Sequence, residues 1–210
     1  MTTLATLKAD IADDLARSDR TSQIADAITR AITFYQNKRF WFNETRSETF
    51  ATVAAQARYS SSDDSAIPEF VKLDGLVITV DGDNRELYWI DPVEFELLAD
   101  SNADSGEPDC YSYFDSTIGL YAIPDAAYTI RMMGHIRKAA PASDAEADNV
   151  WMTHGYQLIR SRATAELALR KTRDYDLAAA MHVAEKQEFQ RLMSETEDRV
   201  APGYLEATAF

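Results

Sequence analysis

The apolar residues of this 210-residue chain change their spacing along its length: at the start they recur every three or four positions, from Arg46 to Tyr59 they fall in alternating or Thr- and Val-rich stretches, and beyond residue 150 strong helix formers return. Helices repeat every 3.6 residues and strands every two, so no single element satisfies both patterns. The chain must therefore combine helices drawn from its two ends with a sheet inserted between them.

At the start, Leu4, Leu7, Ile11 and Leu15 line one helical face, with Lys8, Asp10, Asp13, Asp14 and Arg17 elsewhere. The polar break Ser18-Asp19-Arg20-Thr21-Ser22 offers N-cap groups to a second helix carrying Ile24, Ile28, Ile32 and Tyr35, and the pair predicts a helical hairpin. Lys38-Arg39 stand where cations favour a helix C-terminus, just before the cluster Phe40-Trp41-Phe42. Residues 46–59 then alternate or are rich in Thr and Val. Residues 70–90 read as two strands around Asp81-Gly82-Asp83-Asn84, residue types that tolerate a positive φ.

Asp91-Pro92 predicts the start of a short helix with Val93, Phe95, Leu97 and Leu98 as its apolar content, stopping by Ser101. A loop over 100–108 precedes strands near 110–114, 119–123 and 128–136, with a turn at Pro124-Asp125. Residues 141–149 read as a hinge. Two long helices, 151–171 and 175–195, follow with a boundary at Thr172-Arg173-Asp174. The expected fold is α+β: a helical bundle of N- and C-terminal helical hairpins with an inserted antiparallel β-rich domain. The expected boundaries are 1–45 for the first hairpin, 46–140 for the insertion with its one short helix, 141–195 for the second hairpin and 196–210 for an extended C-terminal arm.

Composition narrows the function. With 46% hydrophobic and 27% charged residues the chain can bury a core, and it has no run approaching the roughly 18 apolar residues of a membrane helix. It begins on an amphipathic pattern, so a soluble, unexported protein without a membrane partner is expected. The single cysteine, Cys110, cannot form an internal disulfide, and no Cys or His partner lies at zinc-ligand spacing. The 35 acidic and 21 basic residues give a formal charge of −14. That excess repels phosphates unless the basic residues are segregated, and they are scattered along the sequence, which argues against sequence-specific DNA binding.

No chemical motif emerges. His135, His154 and His182 are dispersed and none lies in an HExxH or HxH spacing. Asp81, Asp83 and Glu86 lack the sixth-position Gly and twelfth-position acid of a calcium loop and fit a hairpin turn better. There is no GxSxG and no phosphate-cradling loop among the seven glycines. Cys110, in a Tyr-rich strand, reads as an inert thiol. Trp41, Trp89 and Trp151 read as core or interface anchors, and Tyr111, Tyr113 and Tyr121 as strand packing before a sugar platform. No catalytic, cofactor-binding or metal-ligating residue is assigned, and no enzyme activity or cofactor is expected.

Several ordered stretches resemble one family. Ile11-Ala12-Asp13-Asp14-Leu15-Ala16-Arg17, Ile24-Ala25-Asp26-Ala27-Ile28, Phe34-Tyr35 and Arg39-Phe40-Trp41-Phe42-Asn43-Glu44 are similar to tailed-bacteriophage head-to-tail adaptor (connector) proteins. Gly106-Glu107-Pro108 and Leu120-Tyr121-Ala122-Ile123-Pro124-Asp125-Ala126-Ala127-Tyr128 extend the match, which covers residues 3–169. The resemblance implies a structural virion protein, made in the host cytoplasm and placed at the neck. There it would form a homo-oligomeric ring of about twelve subunits under the portal protein, with tail, nozzle or fibre proteins attached and double-stranded DNA passing through without specific binding. Alternatives are a tail-completion or stopper protein, or, from another class, a glycan-binding or hydrolytic tail module.

The acidic excess either lines such a channel or solvates the surface. Beyond residue 195, Val200, Tyr204, Leu205 and Phe210 are apolar while Pro202-Gly203 prevents a helix from continuing. These four are the candidate portal or subunit contacts. The segment is either an arm fixed by a partner surface or a frayed terminus, because burying three such side chains gains about 1.5 to 3 kcal/mol each while ordering the backbone costs about 1 to 2 kcal/mol per residue.

Overall fold

The computed structural model describes residues 2–101 and 104–200. In chain order it holds α1 (Leu4–Asp14), α2 (Thr21–Gln36), a 3-10 turn (Trp41–Asn43), β1 (Glu44–Ala51), β2 (Arg58–Tyr59), β3 (Phe70–Val80), β4 (Asp83–Glu86) and β5 (Tyr88–Trp89). There follow α3 (Pro92–Ser101), β6 (Ser105–Gly106), β7 (Cys110–Phe114), β8 (Thr117–Tyr121), β9 (Ile123–Pro124) and β10 (Thr129–Ile136). The chain finishes its described part with α4 (Val150–Thr153), α5 (Tyr156–Leu167), a π-helical turn (Ala168–Thr172) and α6 (Tyr175–Val200). The fold is α+β, and it divides into two units: Met1–Asn43 with Lys138–Phe210, and Glu44–Arg137.

The first unit is helical. Thr3 caps α1 reciprocally: its Oγ1 accepts from the Thr6 amide at 3.2 Å while the Thr6 hydroxyl accepts from the Thr3 amide at 2.8 Å. The cap expected for α2 is not made: its N-cap position is Arg20, without a side-chain cap bond. Burial of Ile24, Ala27, Ile28, Ala31, Ile32 and Tyr35 on one stripe compensates, since packing rather than capping supplies most helix stability in proteins. Helix α5 packs against α1, α2 and α6, and Arg160 ties it to α1 with two hydrogen bonds to Asp14, at 2.8 and 2.7 Å. Trp151, Phe40, Leu7, Ile11, Leu158 and Ile159 are in the core.

Two expectations change here. The helix predicted over 151–171 breaks into α4 and α5, because Gly155 lies so close over Trp151 that a Cβ there would stand 3.1 Å from the indole. The Trp151 Nε1–H donates to the Lys138 carbonyl at 3.0 Å, which fixes the ring under that bend. Residues 196–200, expected in the C-terminal arm, belong to α6, which continues to Val200, and the rest of that expected segment lies outside the described residues. Thr196 is buried, its hydroxyl donating to the Leu192 carbonyl at 2.7 Å and accepting from the Trp41 amide at 3.1 Å. The Arg199 guanidinium, 3.7 Å from the centre of the Trp41 ring, holds the same last turn.

The second unit carries a sheet in the order β1-β10-β3-β4, another in the order β2-β8-β7-β5, and the pair β6-β9. In the first sheet Leu76 faces Met132 and Ile78 faces Ile130, and all four are buried with Phe50, Tyr59, Ile118 and Leu120. Asp81 at φ 51° and Gly82 at φ 91° form the two-residue turn between β3 and β4, as the residue types predict. The insertion is not wholly antiparallel: β5 runs parallel to β7, and β6 to β9. The reason for the first is α3, which supplies the crossover that parallel strands require. Phe95 seats that helix, its ring lying where a Cβ on Gly119 would come within 2.5 Å.

Candidate interaction surfaces

Phe34 stands in the last turn of α2 and Lys38 just past its C-terminus; on α6, His182, Lys186 and Phe189 lie about one turn apart; α5 contributes Arg162. Together they line a groove of about 320 Å³ in the first unit. Its floor is a satisfied carboxylate. Glu185 is buried, and its Oε1 accepts from the Tyr35 hydroxyl at 2.6 Å and from Arg162 at 2.7 Å, while His182 Nδ1 lies 3.0 Å from Oε2.

Burial by itself raises the Glu185 carboxyl, but the hydrogen bonds from Tyr35, Arg162 and His182, with the Arg162 charge, outweigh it and hold the group below its ordinary range. Burial, reinforced by that carboxylate, pushes the Tyr35 hydroxyl well above its own ordinary value. The Arg162 guanidinium also lies 3.6 Å from the centre of the Phe34 ring, which is 45% exposed. Lys38 and Lys186 are exposed and form no ion pair among the described residues. The groove thus offers aromatic surface under a net positive charge, in a chain whose formal charge is −14.

The second surface is the outer face of α3. Phe95 points inward, so Val93 and Leu97, one turn apart, fall on the outside with 70% and 66% of their surface exposed. Glu94 and Glu96 are exposed on either side of them, Glu96 in an ion pair with Arg58, and α3 contains no Lys or Arg. Tyr88 and Trp89, on the edge strand β5, are exposed just before the helix. Large exposed apolar side chains grouped in this way mark interaction surfaces in proteins.

The residues singled out in the sequence fall elsewhere. Tyr204, Leu205 and Phe210 lie outside the described residues, and Val200 is the last residue of α6, its side chain outside the description. His135 is buried on β10, and His154 stacks between Trp41 and Phe42 with ring centres 4.4 and 5.6 Å away; burial lowers its pKa. Among the described residues no three His, Cys, Asp or Glu side chains gather as a metal site would require. Burial, then Asp109, whose carboxylate accepts its S–H at 3.2 Å, pushes the Cys110 thiol up to about 12. A thiol so held stays protonated and unreactive at neutral pH. Tyr111 and Tyr113 turn into the core side of β7, whereas Tyr121 pairs with Cys110 and shares the opposite face, so the three form no common platform. Trp151 is core, Trp41 is covered by Arg199, and Trp89 is exposed.

The groove residues Phe34, Lys38, Arg162, Lys186 and Phe189 were missed by sequence reading. Helical spacing puts Lys186 with Phe189, and Lys38 follows the α2 turn that carries Phe34, but only the packing of three helices brings the sets together.

The described surfaces thus combine exposed apolar groups with a carboxylate satisfied inside its own network. The family described as SU10 adaptor protein matches residues 2–206, nearly the whole chain. The chain belongs to this family of phage head-to-tail adaptors, and a non-enzymatic role goes with that membership. No curated protein matches it. No helix among the described residues is long and apolar enough to cross a membrane.

Proposed function

We propose that this protein is a head-to-tail adaptor of the virion neck, assembling as a ring between the portal protein and the tail and leaving a passage for DNA. The observation that carries the reading is the family match across residues 2–206. Exposed aromatic and aliphatic groups on the α3 face and in the α2–α5–α6 groove are the kind of surface such assembly uses. The end helices act as a bundle of two hairpins that carries the sheet-bearing insertion. The acidic excess, turned toward the passage, keeps phosphates from adhering, because cationic neutralisation of phosphates drives non-specific binding.

Tyr204, Leu205 and Phe210, with Val200, form the contact with the portal or the next subunit. Co-sedimentation of the full chain with purified portal rings tests the reading. Binding of the intact chain, and its loss on deletion of residues 202–210 with the unfolding temperature unchanged, is expected. A chain that sediments with tail complexes and leaves portal rings bare would instead make it a tail-completion or stopper protein.

A further inference from the structure

We infer that the cationic aromatic groove of one copy receives the acidic outer face of α3 of the next copy, which rests on the ring reading above. The two surfaces are opposite in charge and alike in apolar character. The groove presents the Phe34 and Phe189 rings between the exposed ammonium groups of Lys38 and Lys186. The α3 face presents Val93 and Leu97 between Glu94 and Glu96; Glu96 is paired with Arg58, so Glu94 is the carboxylate left for an outside cation. The groove's own carboxylate does not compete, because Glu185 is committed to Tyr35, Arg162 and His182. Lys38 and Lys186 remain for an outside acid, and Glu94 likewise forms no ion pair among the described residues.

A contact that joins two different surfaces is heterologous: each copy that has used its groove still offers its α3, so copies add head to tail, as a ring requires. A handful of side chains on each surface falls short of the roughly 20 to 30 residues a side of a stable interface. The contact therefore selects and orients the neighbour, and association on a template supplies the concentration that a small contact lacks.

The test is charge reversal with restoration. Native mass spectrometry of the full chain, free and on purified portal rings, is compared for the unaltered protein, for Lys38→Glu with Lys186→Glu, for Glu94→Lys, and for the chain carrying all three changes. These positions are exposed, and thermal unfolding checks each variant; Lys38→Gln with Lys186→Gln replaces the groove reversal, and Glu94→Gln the α3 reversal, where either lowers the unfolding temperature. Each single-surface reversal should weaken copy-to-copy association by about tenfold or more, and the triple change should restore most of it.

If the unaltered chain assembles and the reversed chains assemble equally well, or the triple change restores nothing, the pairing is wrong and the ring reading stands. If the unaltered chain adds no second copy either free or on portal rings, the ring reading itself falls and takes the pairing with it.

Discussion

Glu185 is the residue on which the helical unit's polar interior depends. Three partners converge on it, and Arg162 is shared between this carboxylate and the face of Phe34. Glu185→Gln removes the charge and should cost about 1.5 to 3 kcal/mol at pH 7, the range for hydrogen bonds to charged groups. Because its folded pKa lies below the unfolded value of about 4.3, the stabilisation is fully present above that pH and is lost as the pH falls through the folded value. Denaturant unfolding at pH 7 and pH 3 should therefore show a gap between the two proteins that narrows on acidification; an equal gap at both pH values would contradict this network. Cys110 gives a second expectation at this scale: a thiol raised to about 12 should react with alkylating reagents at pH 8 at least about tenfold more slowly than a free cysteine, measured by mass shift over time.

Two of the elements that carry the surfaces on which assembly is proposed, α3 and α6, are each held by one small feature. Helix α3 sits on Gly119, where a methyl group would meet the Phe95 ring at 2.5 Å. Gly119→Ala should destabilise the sheet unit by about 1 to 3 kcal/mol, read from its unfolding midpoint, and an unchanged midpoint would mean that α3 is seated otherwise. The last turn of α6 is held by Thr196 against the Trp41 amide, so Thr196→Val should cost about 1 kcal/mol and speed amide exchange over residues 193–199; protection equal to that of the unaltered chain would refute the role given to that hydroxyl. At this scale the sequence was largely legible. Period, Pro92 and the Asp81-Gly82 pair located α1, α2, α3 and the β3–β4 hairpin, because those signals are local. The break at Gly155 and the extension of α6 were not, because each depends on a distant partner: the Lys138 carbonyl that fixes the Trp151 indole under Gly155, and the amide of Trp41. The parallel pairing of β5 with β7 was hidden for the same reason, since a two-residue strand has no period of its own.

Across the whole molecule, the two chain ends form one unit and the middle forms the other, with the passages at Asn43/Glu44 and Arg137/Lys138. The groove was invisible in the sequence: its cations lie at positions 38, 162 and 186 and meet only through packing. A sequence that appears uniformly acidic with scattered basic residues thus folds to a surface with a distinct positive site. Function in an adaptor lies in how many copies assemble and on what, and no single chain displays that. The most direct measurement is the mass of purified portal rings with and without this protein in excess, determined on single particles. A discrete gain equal to an integer multiple of the 23.6 kDa chain, with a multiplier of about twelve as symmetric rings of the family imply, is the predicted result. Portal rings that gain no mass, or gain it without a fixed multiple, would contradict the account.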